Sequence, residues 1–232
     1  IFVQNDSSRN LLKSIGIEQV SVAGDTRFDR VYEIAQQAKR LPEIERFAAD
    51  APVFIAGSTW PPDEELLVGL IERYPDVKFI VAPHEIDPAR IEKFCERISR
   101  PALRYTQLTP QSDLAAAGVL FVDTIGILSS VYRYGRWGYI GGGFGAGIHN
   151  TLEAATFGLP LAFGPRYGKF REARDLVTLR GAASIASAEE LERWFAGLHD
   201  DPDATGRSGT ICKEYVLQHK GATARIMDEI CR

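Results

Sequence analysis

The chain has 232 residues, enough to bury one large core or one core with a small appended unit. Hydrophobic residues make up 45% and charged residues 25%, which is typical of globular proteins. The formal net charge is −4, whereas binding along a nucleic-acid backbone depends on clustered Lys and Arg. This argues against a nucleic-acid partner and leaves open a local basic pocket for one anion. No apolar run approaches the roughly 20 residues that span a bilayer, so we expect the chain as given to be soluble.

The chain begins inside a predicted element. Its first five residues, IFVQN, are typical of a strand, and an amphipathic helix is predicted from Ser7 to Ile15. We therefore expect residues to be missing at the front. We divide the chain into residues 1–18, the remnant of a preceding domain or a linker, and residues 19–232, a second domain.

Strands and helices alternate along the rest of the sequence. The predicted strands are the mainly apolar segments 52–58, 78–83, 102–108, 118–123, 139–140, 159–165 and 182–185. The predicted helices cover 28–40, 42–49, 87–98, 128–134, 188–198 and 209–231, with others beginning at Pro61 and after the glycine-rich loop. Nearly continuous apolar strands that alternate with helices indicate an α/β fold, a Rossmann-like doubly wound parallel sheet.

Polar and glycine residues follow five of these strands. In a parallel sheet, ligands bind outside the carboxyl ends of the strands. The five segments at that edge are 57–59, 83–85, 123–126, 141–150 and 164–165. Their convergence predicts a ligand site there.

The most informative segment runs from Tyr139 to Pro165. Its glycines, at 141, 142, 143, 145 and 147, allow a turn at positive φ and a close approach to a ligand. A helix is expected to begin at the following polar residues, so its free N–H groups would favour an anion. The spacing matches neither the dinucleotide fingerprint nor a Walker loop. An alternative is a connection whose glycines only allow close packing.

The polar residues after the glycines have two interpretations. Asn150 and Glu153 fit a capping box, with Asn150 as the cap and Glu153 reaching back. The Glu153 carboxylate could equally accept hydrogen bonds from the vicinal hydroxyls of a sugar. His149 is either structural or, when protonated, a contact for phosphate or carboxylate.

Similar alternatives apply to the other loops. Ser58 and Thr59 are interpreted first as caps of the helix that begins at Pro61. Their hydroxyls and amides would face the edge of the sheet at the carboxyl ends of the strands, which we call the rim. His84, with Glu85, is either ligand-facing or part of a simple turn. Asp123 is expected to stabilise its own turn.

The sequence offers little for catalysis. The basic cluster Lys169, Arg171 and Arg174 is either an anion contact or a solvated face. No Ser-His-Asp order, nucleophile elbow or catalytic carboxylate pair is recognisable. We predict no catalytic residue in this chain, which would bind rather than attack.

Six segments, taken in order, resemble the C-terminal half of 3-deoxy-D-manno-octulosonic acid (Kdo) transferases, the enzymes of lipid A glycosylation. They are residues 2–17, 22–30, 56–65, 121–128, 141–165 and 170–173. The block GGGFGAGIHNTLEAATFGLPLAFGP is the most specific of them. The resemblance covers almost the whole chain.

The resemblance implies the C-terminal half of a type B glycosyltransferase, whose C-terminal domain binds the activated sugar CMP-Kdo. It implies transfer to a lipid A precursor with inversion, without a metal ion or any cofactor. The general-base glutamate, the acceptor surface and an anchor to the cytoplasmic face of the bacterial inner membrane would belong to the N-terminal domain, of which residues 1–18 would be the end. Donor binding would fall on Ser58, Thr59, Gly126, Gly142, Gly143, His149, Asn150 and Glu153, to which we add His84.

Three positions depart from the family pattern. His84 stands where an arginine is common, Ile127 stands in place of a glutamate, and Lys169 replaces an asparagine. These departures indicate a divergent branch. Two other functions stay open, namely a UDP-sugar-dependent type B glycosyltransferase or epimerase domain, and a non-catalytic nucleotide-binding or protein-interaction module.

Overall fold

The computed structural model describes residues 1–231, and a parallel sheet of seven strands forms its centre. The order of the strands across this sheet is β5-β6-β4-β3-β7-β8-β9, and a separate parallel pair consists of β1 and β2. The nine strands are β1 (Phe2–Val3), β2 (Ser21–Val22), β3 (Val53–Thr59), β4 (Lys78–Pro83), β5 (Ala102–Arg104), β6 (Val119–Phe121), β7 (Trp137–Ile140), β8 (Leu161–Phe163) and β9 (Ala182–Ser184).

Helices cover both faces of the large sheet. They are α1 (Asp6–Ser14), α2 (Thr26–Gln36), α3 (Pro42–Ala48), α4 (Pro61–Arg73), α5 (Pro88–Cys95), α6 (Leu128–Val131), α7 (Leu152–Thr156), α8 (Arg171–Leu179), α9 (Ala188–His199), α10 (Pro202–His219) and α11 (Ala222–Ile230). Two short 3₁₀ turns lie at Tyr105–Gln107 and Tyr132–Tyr134.

Two hydrophobic cores, one on each face, explain why the central strands are apolar throughout. Residues of α2, α3, α7, α8 and α10 pack on one face, and residues of α4, α5 and α9 pack on the other. Along β3, Ile55 points into the first core while its neighbours Phe54 and Ala56 point into the second. A strand buried on both sides has no polar face, so the apolar runs predict it well. The predicted doubly wound parallel α/β fold is confirmed.

The first residues form a small unit beside this sheet. Strand β1 pairs with β2 in the register Phe2 with Ser21, and α1 connects the two strands. The last helix returns to this unit, where Ser21 Oγ donates to Glu229 and the Arg225 guanidinium donates to the Ala23 carbonyl. The predicted division at residue 18 stays a prediction, and the end of the second predicted domain, Arg232, lies outside the described residues.

Most predicted elements differ from the observed ones by a few residues at their ends, and two of the differences have a clear cause in the backbone. The helix expected over 209–231 begins at Pro202 and is divided at Gly221, whose φ of 106° is left-handed and ends α-helical geometry. The strand expected over 102–108 stops at Arg104, because the chain enters a 3₁₀ turn at Tyr105. Strand β5 lies at the edge of the sheet and pairs with β6 only, so no second strand extends its pairing beyond Arg104.

Candidate functional site

The five polar loops lie at one edge of the sheet. All six pairings in the seven-stranded sheet are parallel, so the carboxyl ends of β3, β4, β6, β7 and β8 share that edge. Strands β3 and β7 are neighbours at the centre, which brings the loop after Thr59 against the glycine loop. The loop after β6 lies two strands away from β3.

The glycine loop packs too closely against its neighbours for side chains. A Cβ at Gly141 would overlap the backbone carbonyl of Ser58. A Cβ at Gly143 would lie 2.6 Å from the backbone N and Cα of Gly164. Gly142 has a φ of 92°, which is left-handed. These glycines therefore hold the ends of β3, β7 and β8 together, so the close-packing interpretation is correct for Gly141 and Gly143 and does not exclude a ligand.

Asp63, in the first turn of α4, fixes the glycine loop from the other side. Its fully buried carboxylate accepts hydrogen bonds from the Gly142 N–H at 2.9 Å, from the Tyr139 hydroxyl at 2.7 Å and from the Trp60 N–H at 2.9 Å. The last of these is the bond by which an acid in the first turn of a helix reaches back to the N-cap residue, here Trp60. This role of Asp63 was not predicted from the sequence, although an acid two residues after Pro61 is a known signal of a helix start.

Three aromatic rings stack beside the glycine loop. The rings of Trp60 and His84 lie 4.7 Å apart, and those of His84 and His149 lie 4.2 Å apart. Trp60 Nε1–H also donates to His149 Nε2 at 3.0 Å. Burial, together with the nearby His84 imidazole, lowers the pKa of His149, although the Asp63 carboxylate opposes the shift. The structure thus brings together two predicted site residues, His84 and His149, and a third residue, Trp60, that was not predicted.

A cavity of about 420 Å³ lies between the start of α4 and the glycine loop. Its walls include Trp60, Pro62, Phe144 and His149, together with the backbone of Gly145 to Gly147. We call it the glycine-loop cavity. Its walls combine an aromatic surface with the ring of His149, so it suits a ligand that carries both apolar and polar groups.

The polar residues after the glycines do not form the predicted capping box. Helix α7 begins at Leu152, and Asn150 Oδ1 accepts a hydrogen bond from the Leu152 N–H at 3.0 Å. The Asn150 side-chain amide donates to Glu153 Oε1 at 3.0 Å, whereas a capping box would use the Asn150 backbone N–H. Glu153 therefore does reach back to Asn150, but it accepts from the side-chain amide and not, as the capping box predicts, from the backbone N–H. Burial raises the pKa of Glu153, against the effect of the Asn150 hydrogen bond.

Ser58 and Thr59 do not cap α4, in contrast to the prediction. Thr59 is fully buried, and its hydroxyl donates to Glu64 Oε1 at 3.0 Å, so it does not face the rim. Ser58 is half-buried and has a φ of 55°, a left-handed conformation that is uncommon for a residue with a side chain. The N-cap residue of α4 is Trp60, and the Asp63 carboxylate, in the first turn of the helix, accepts a hydrogen bond from its backbone N–H.

The two remaining loops contribute less. Asp123 is buried and does not stabilise its own turn as expected. Its carboxylate accepts hydrogen bonds from Arg104 Nε at 2.9 Å and from the N–H and hydroxyl of Thr106, which fastens the end of β6 to the end of β5. Gly126 is exposed with a φ of 87°, and a Cβ there would meet no atom within 4 Å. It takes no part in the contacts around His149 described above.

The basic side chains of Lys169, Arg171 and Arg174 are exposed. Arg171 pairs with Asp175 at 3.4 Å, one turn further along α8. A second cavity, of about 460 Å³, lies between residues 4–6 and residues 169–172, and the guanidinium of Arg27 on its wall is bound by Asp25 and Glu172.

Among residues 1–231, no three or more His, Cys, Asp or Glu side chains are grouped so that they could hold a metal ion. The expectation that the reaction needs no metal or cofactor stays a prediction. None of the helices in the described part of the chain is both long and apolar enough to cross a membrane.

Comparison with known proteins gives a consistent result. No protein-family model matches the chain. A 3-deoxy-D-manno-octulosonic acid transferase of Rickettsia bellii is 26% identical over 99% of this chain and 55% of its own length. The chain spans about half the length of the curated relatives it matches.

Solved structures share the fold. The C-terminal CMP-Kdo binding domain of WaaA from Acinetobacter baumannii superposes with a TM-score of 0.66 and 22% identity, over 82% of this chain and 99% of that domain. Anabaena HepE in complex with UDP gives a TM-score of 0.62 and 12% identity, over 99% of this chain and 63% of HepE. The fold is Rossmann-like, of the kind that type B glycosyltransferases have. The predicted resemblance is confirmed: over nearly its whole length, the chain resembles the 3-deoxy-D-manno-octulosonic acid transferases.

Proposed function

We propose that the chain is the donor-binding domain of a glycosyltransferase that moves Kdo from CMP-Kdo to a lipid A precursor in lipopolysaccharide biosynthesis. One observation carries this proposal. The chain shares its fold with a CMP-Kdo binding domain over 99% of that domain, and its curated relatives include Kdo transferases of several species.

We propose that the candidate site holds part of a nucleotide sugar. The glycine loop brings backbone close to the rim, and the glycine-loop cavity beside it is large enough for part of such a ligand. We assign the ribose hydroxyls to Glu153, which Asn150 holds by a hydrogen bond of 3.0 Å. Ser58, His84, Gly126, Gly142, Gly143 and His149 complete the proposed donor contacts. The hydroxyl of Thr59 is occupied by Glu64, so we assign Thr59 a supporting role behind Ser58.

The chemistry requires a part of the enzyme outside this chain. We propose that the general base and the acceptor surface lie in a preceding domain and that transfer is inverting and independent of metal. Residues 1–18 would be the end of that domain or a linker. The full-length protein would act at the cytoplasmic face of the bacterial inner membrane. We expect this chain alone to bind the donor without transferring the sugar.

A second candidate is a type B transferase or epimerase that uses a UDP-sugar. It is favoured by the likeness to HepE in complex with UDP, and by a TM-score of 0.60 with Neisseria meningitidis UDP-GlcNAc 2-epimerase bound to UDP-GlcNAc. These structures are 12% and 16% identical to this chain, below the 26% of the Kdo transferase relative. We therefore place CMP-Kdo first.

Isothermal titration with CMP and UMP tests the choice. We expect CMP to bind at least about tenfold more tightly than UMP, a difference of roughly 1.4 kcal/mol. Binding of UMP without a preference for CMP would contradict the CMP-Kdo assignment and favour the hypothesis of a UDP-sugar donor. If neither nucleotide binds, the non-catalytic interaction module becomes the better explanation. The upstream coding sequence gives an independent check, because we expect it to encode a glutamate-bearing Rossmann half with a hydrophobic anchor.

A further inference from the structure

The hydrogen bond from Trp60 to His149 specifies which imidazole nitrogen carries a proton. The indole Nε1–H is only a donor, and His149 Nε2 lies 3.0 Å from it. Nε2 must therefore present its lone pair, so the proton of the neutral ring is on Nδ1. A doubly protonated imidazole has no acceptor nitrogen and cannot accept this bond.

The surroundings hold the ring in this orientation. His84 stacks on His149 with ring centroids 4.2 Å apart and an angle of 28° between the planes. A Cβ at Gly142 would lie 3.0 Å from His149 Cδ2, so the absence of a side chain there leaves room for the ring. The backbone N–H of His149 also donates to the Gly141 carbonyl at 3.1 Å. Rotation of the imidazole would break the bond to Trp60 and disturb the stack.

We propose that Trp60 is a positioning residue that keeps His149 as the neutral Nδ1–H tautomer, so that His149 meets an anionic ligand as a hydrogen-bond donor and not as a cation. The role in ligand binding rests on the proposed function, because the anionic oxygens would belong to the phosphate or carboxylate of the donor. The tautomer itself does not depend on it. This inference replaces the interpretation that His149 contacts the anion when protonated.

The charges around the ring agree with a neutral imidazole. Burial and His84, from the loop after β4, lower the pKa of His149, and Asp63, from α4, opposes them without reversing the shift. Two other charged groups belong to the same region. Arg166, after β8, donates to the Gly145 carbonyl, and Glu153, four residues after His149 in the sequence, accepts from Asn150. Neutrality near pH 7 follows from the position of the ring and from the Trp60 bond together.

Nitrogen NMR of the ¹⁵N-histidine-labelled chain tests the tautomer without any ligand. We expect the His149 signals, identified by their loss in His149→Asn, to show a protonated Nδ1 and a bare Nε2 in the wild type. In Trp60→Phe we expect this tautomer to lose its dominance and the ring to titrate at higher pH. Trp194→Phe is the matched control, since Trp194 is also half-buried and lies on α9, away from the glycine loop. A wild-type ring with a protonated Nε2, or a Trp60→Phe ring with an unchanged tautomer, would overturn the proposal.

CMP binding provides a second measurement. Relative to the wild type, the affinity of Trp60→Phe for CMP should rise about fivefold between pH 8 and pH 5.5, as His149 gains a charge near the phosphate. The affinity of Trp194→Phe should keep a constant ratio to the wild type. A constant ratio for Trp60→Phe would contradict the donor role. If CMP does not bind at all, the proposed function fails, but the wild-type spectrum still tests the tautomer. The same spectrum tests the tautomer if Trp60→Phe does not fold.

Discussion

The Asp63 carboxylate accepts a hydrogen bond from the backbone N–H of Gly142 at 2.9 Å, across 79 positions of the sequence. This bond joins the first turn of α4 to the glycine loop at the centre of the sheet. The same carboxylate binds the Tyr139 hydroxyl and the Trp60 N–H. One buried side chain therefore sets the relative position of the loop after β3 and the loop after β7, which carry most of the candidate site.

Asp63→Ala should strongly destabilise the protein. The substitution leaves three donors in or near the core without an acceptor, so we expect the free energy of unfolding to fall by about 3 kcal/mol or more. Urea denaturation measures this loss. Glu65→Ala, on the exposed side of the same helix turn, is the control and should cost less than about 1 kcal/mol. Equal losses in the two variants would show that the buried network is not important for stability.

Gly143→Ala should disturb the site through packing alone. The new Cβ would lie 2.6 Å from the Gly164 backbone, so the two loops must separate. We expect a loss of about 1–3 kcal/mol in the free energy of unfolding, as for other overpacked sites, and weaker CMP binding. Gly145→Ala is a matched control in the same loop, because the nearest atom to its Cβ would be 3.6 Å away. If Gly143→Ala were as stable as Gly145→Ala, the close approach to Gly164 would not hold in solution.

Much of the fold could be predicted because local pattern determines it. The segment 78–83 is apolar throughout apart from Lys78, and β4 has those bounds. A central parallel strand is apolar because both its faces are buried, whichever strands pair with it. Its position can therefore be predicted from one sequence. Two features were not predicted. Strand β5 ends early because a 3₁₀ turn follows Arg104, and the C-terminal helix is divided because Gly221 has a left-handed φ.

The candidate site could be predicted only in part. The glycine loop and its polar neighbours were identified from their spacing, which is local. The contacts of Trp60 with His149 and of Asp63 with Gly142 join residues 89 and 79 positions apart. Periodicity contains no information on such pairs, and Trp60 gave no signal except its position between a strand end and a Pro-Pro helix start. The Asp123 contacts with Arg104 and Thr106 were missed for the same reason.

Ser58→Gly should stabilise the protein while weakening donor binding. Ser58 has a φ of 55°, where glycine is free of the steric cost of a Cβ, so we expect a gain of up to about 1 kcal/mol in the free energy of unfolding. Ser58→Ala keeps the Cβ and removes only the hydroxyl, so its stability should stay near that of the wild type. Both variants should bind CMP-Kdo less tightly if the hydroxyl contacts the donor. Unchanged affinity in both would remove Ser58 from the proposed site.

Asp123 should make the protein sensitive to acid. Although burial alone would raise it, the hydrogen bonds from Thr106 and Arg104 lower the pKa of Asp123 in the folded state. A carboxyl whose pKa is lower when folded stabilises the protein at pH values above its unfolded pKa of about 3.9, and this stabilisation is lost as the pH falls through the folded pKa. The difference in unfolding free energy between wild type and Asp123→Asn should therefore shrink as the pH falls from 6 towards 2. A difference that does not depend on pH would contradict an ionised Asp123 in the fold.

Glu153→Ala separates the two interpretations of this carboxylate. Glu153 accepts a hydrogen bond from the Asn150 side chain and none from the Asn150 backbone N–H, so its contribution to helix capping should be small, about 0.5 kcal/mol. If it binds the ribose hydroxyls, the affinity for CMP should fall about tenfold or more, since a lost hydrogen bond to a charged group is worth about 1.5–3 kcal/mol. Titration calorimetry and thermal unfolding of the same variant measure the two effects, and Glu153→Gln, which keeps an acceptor oxygen, should bind CMP with intermediate affinity. A variant that loses stability but binds CMP like the wild type would establish the structural role and move the ribose contact to another residue of the rim.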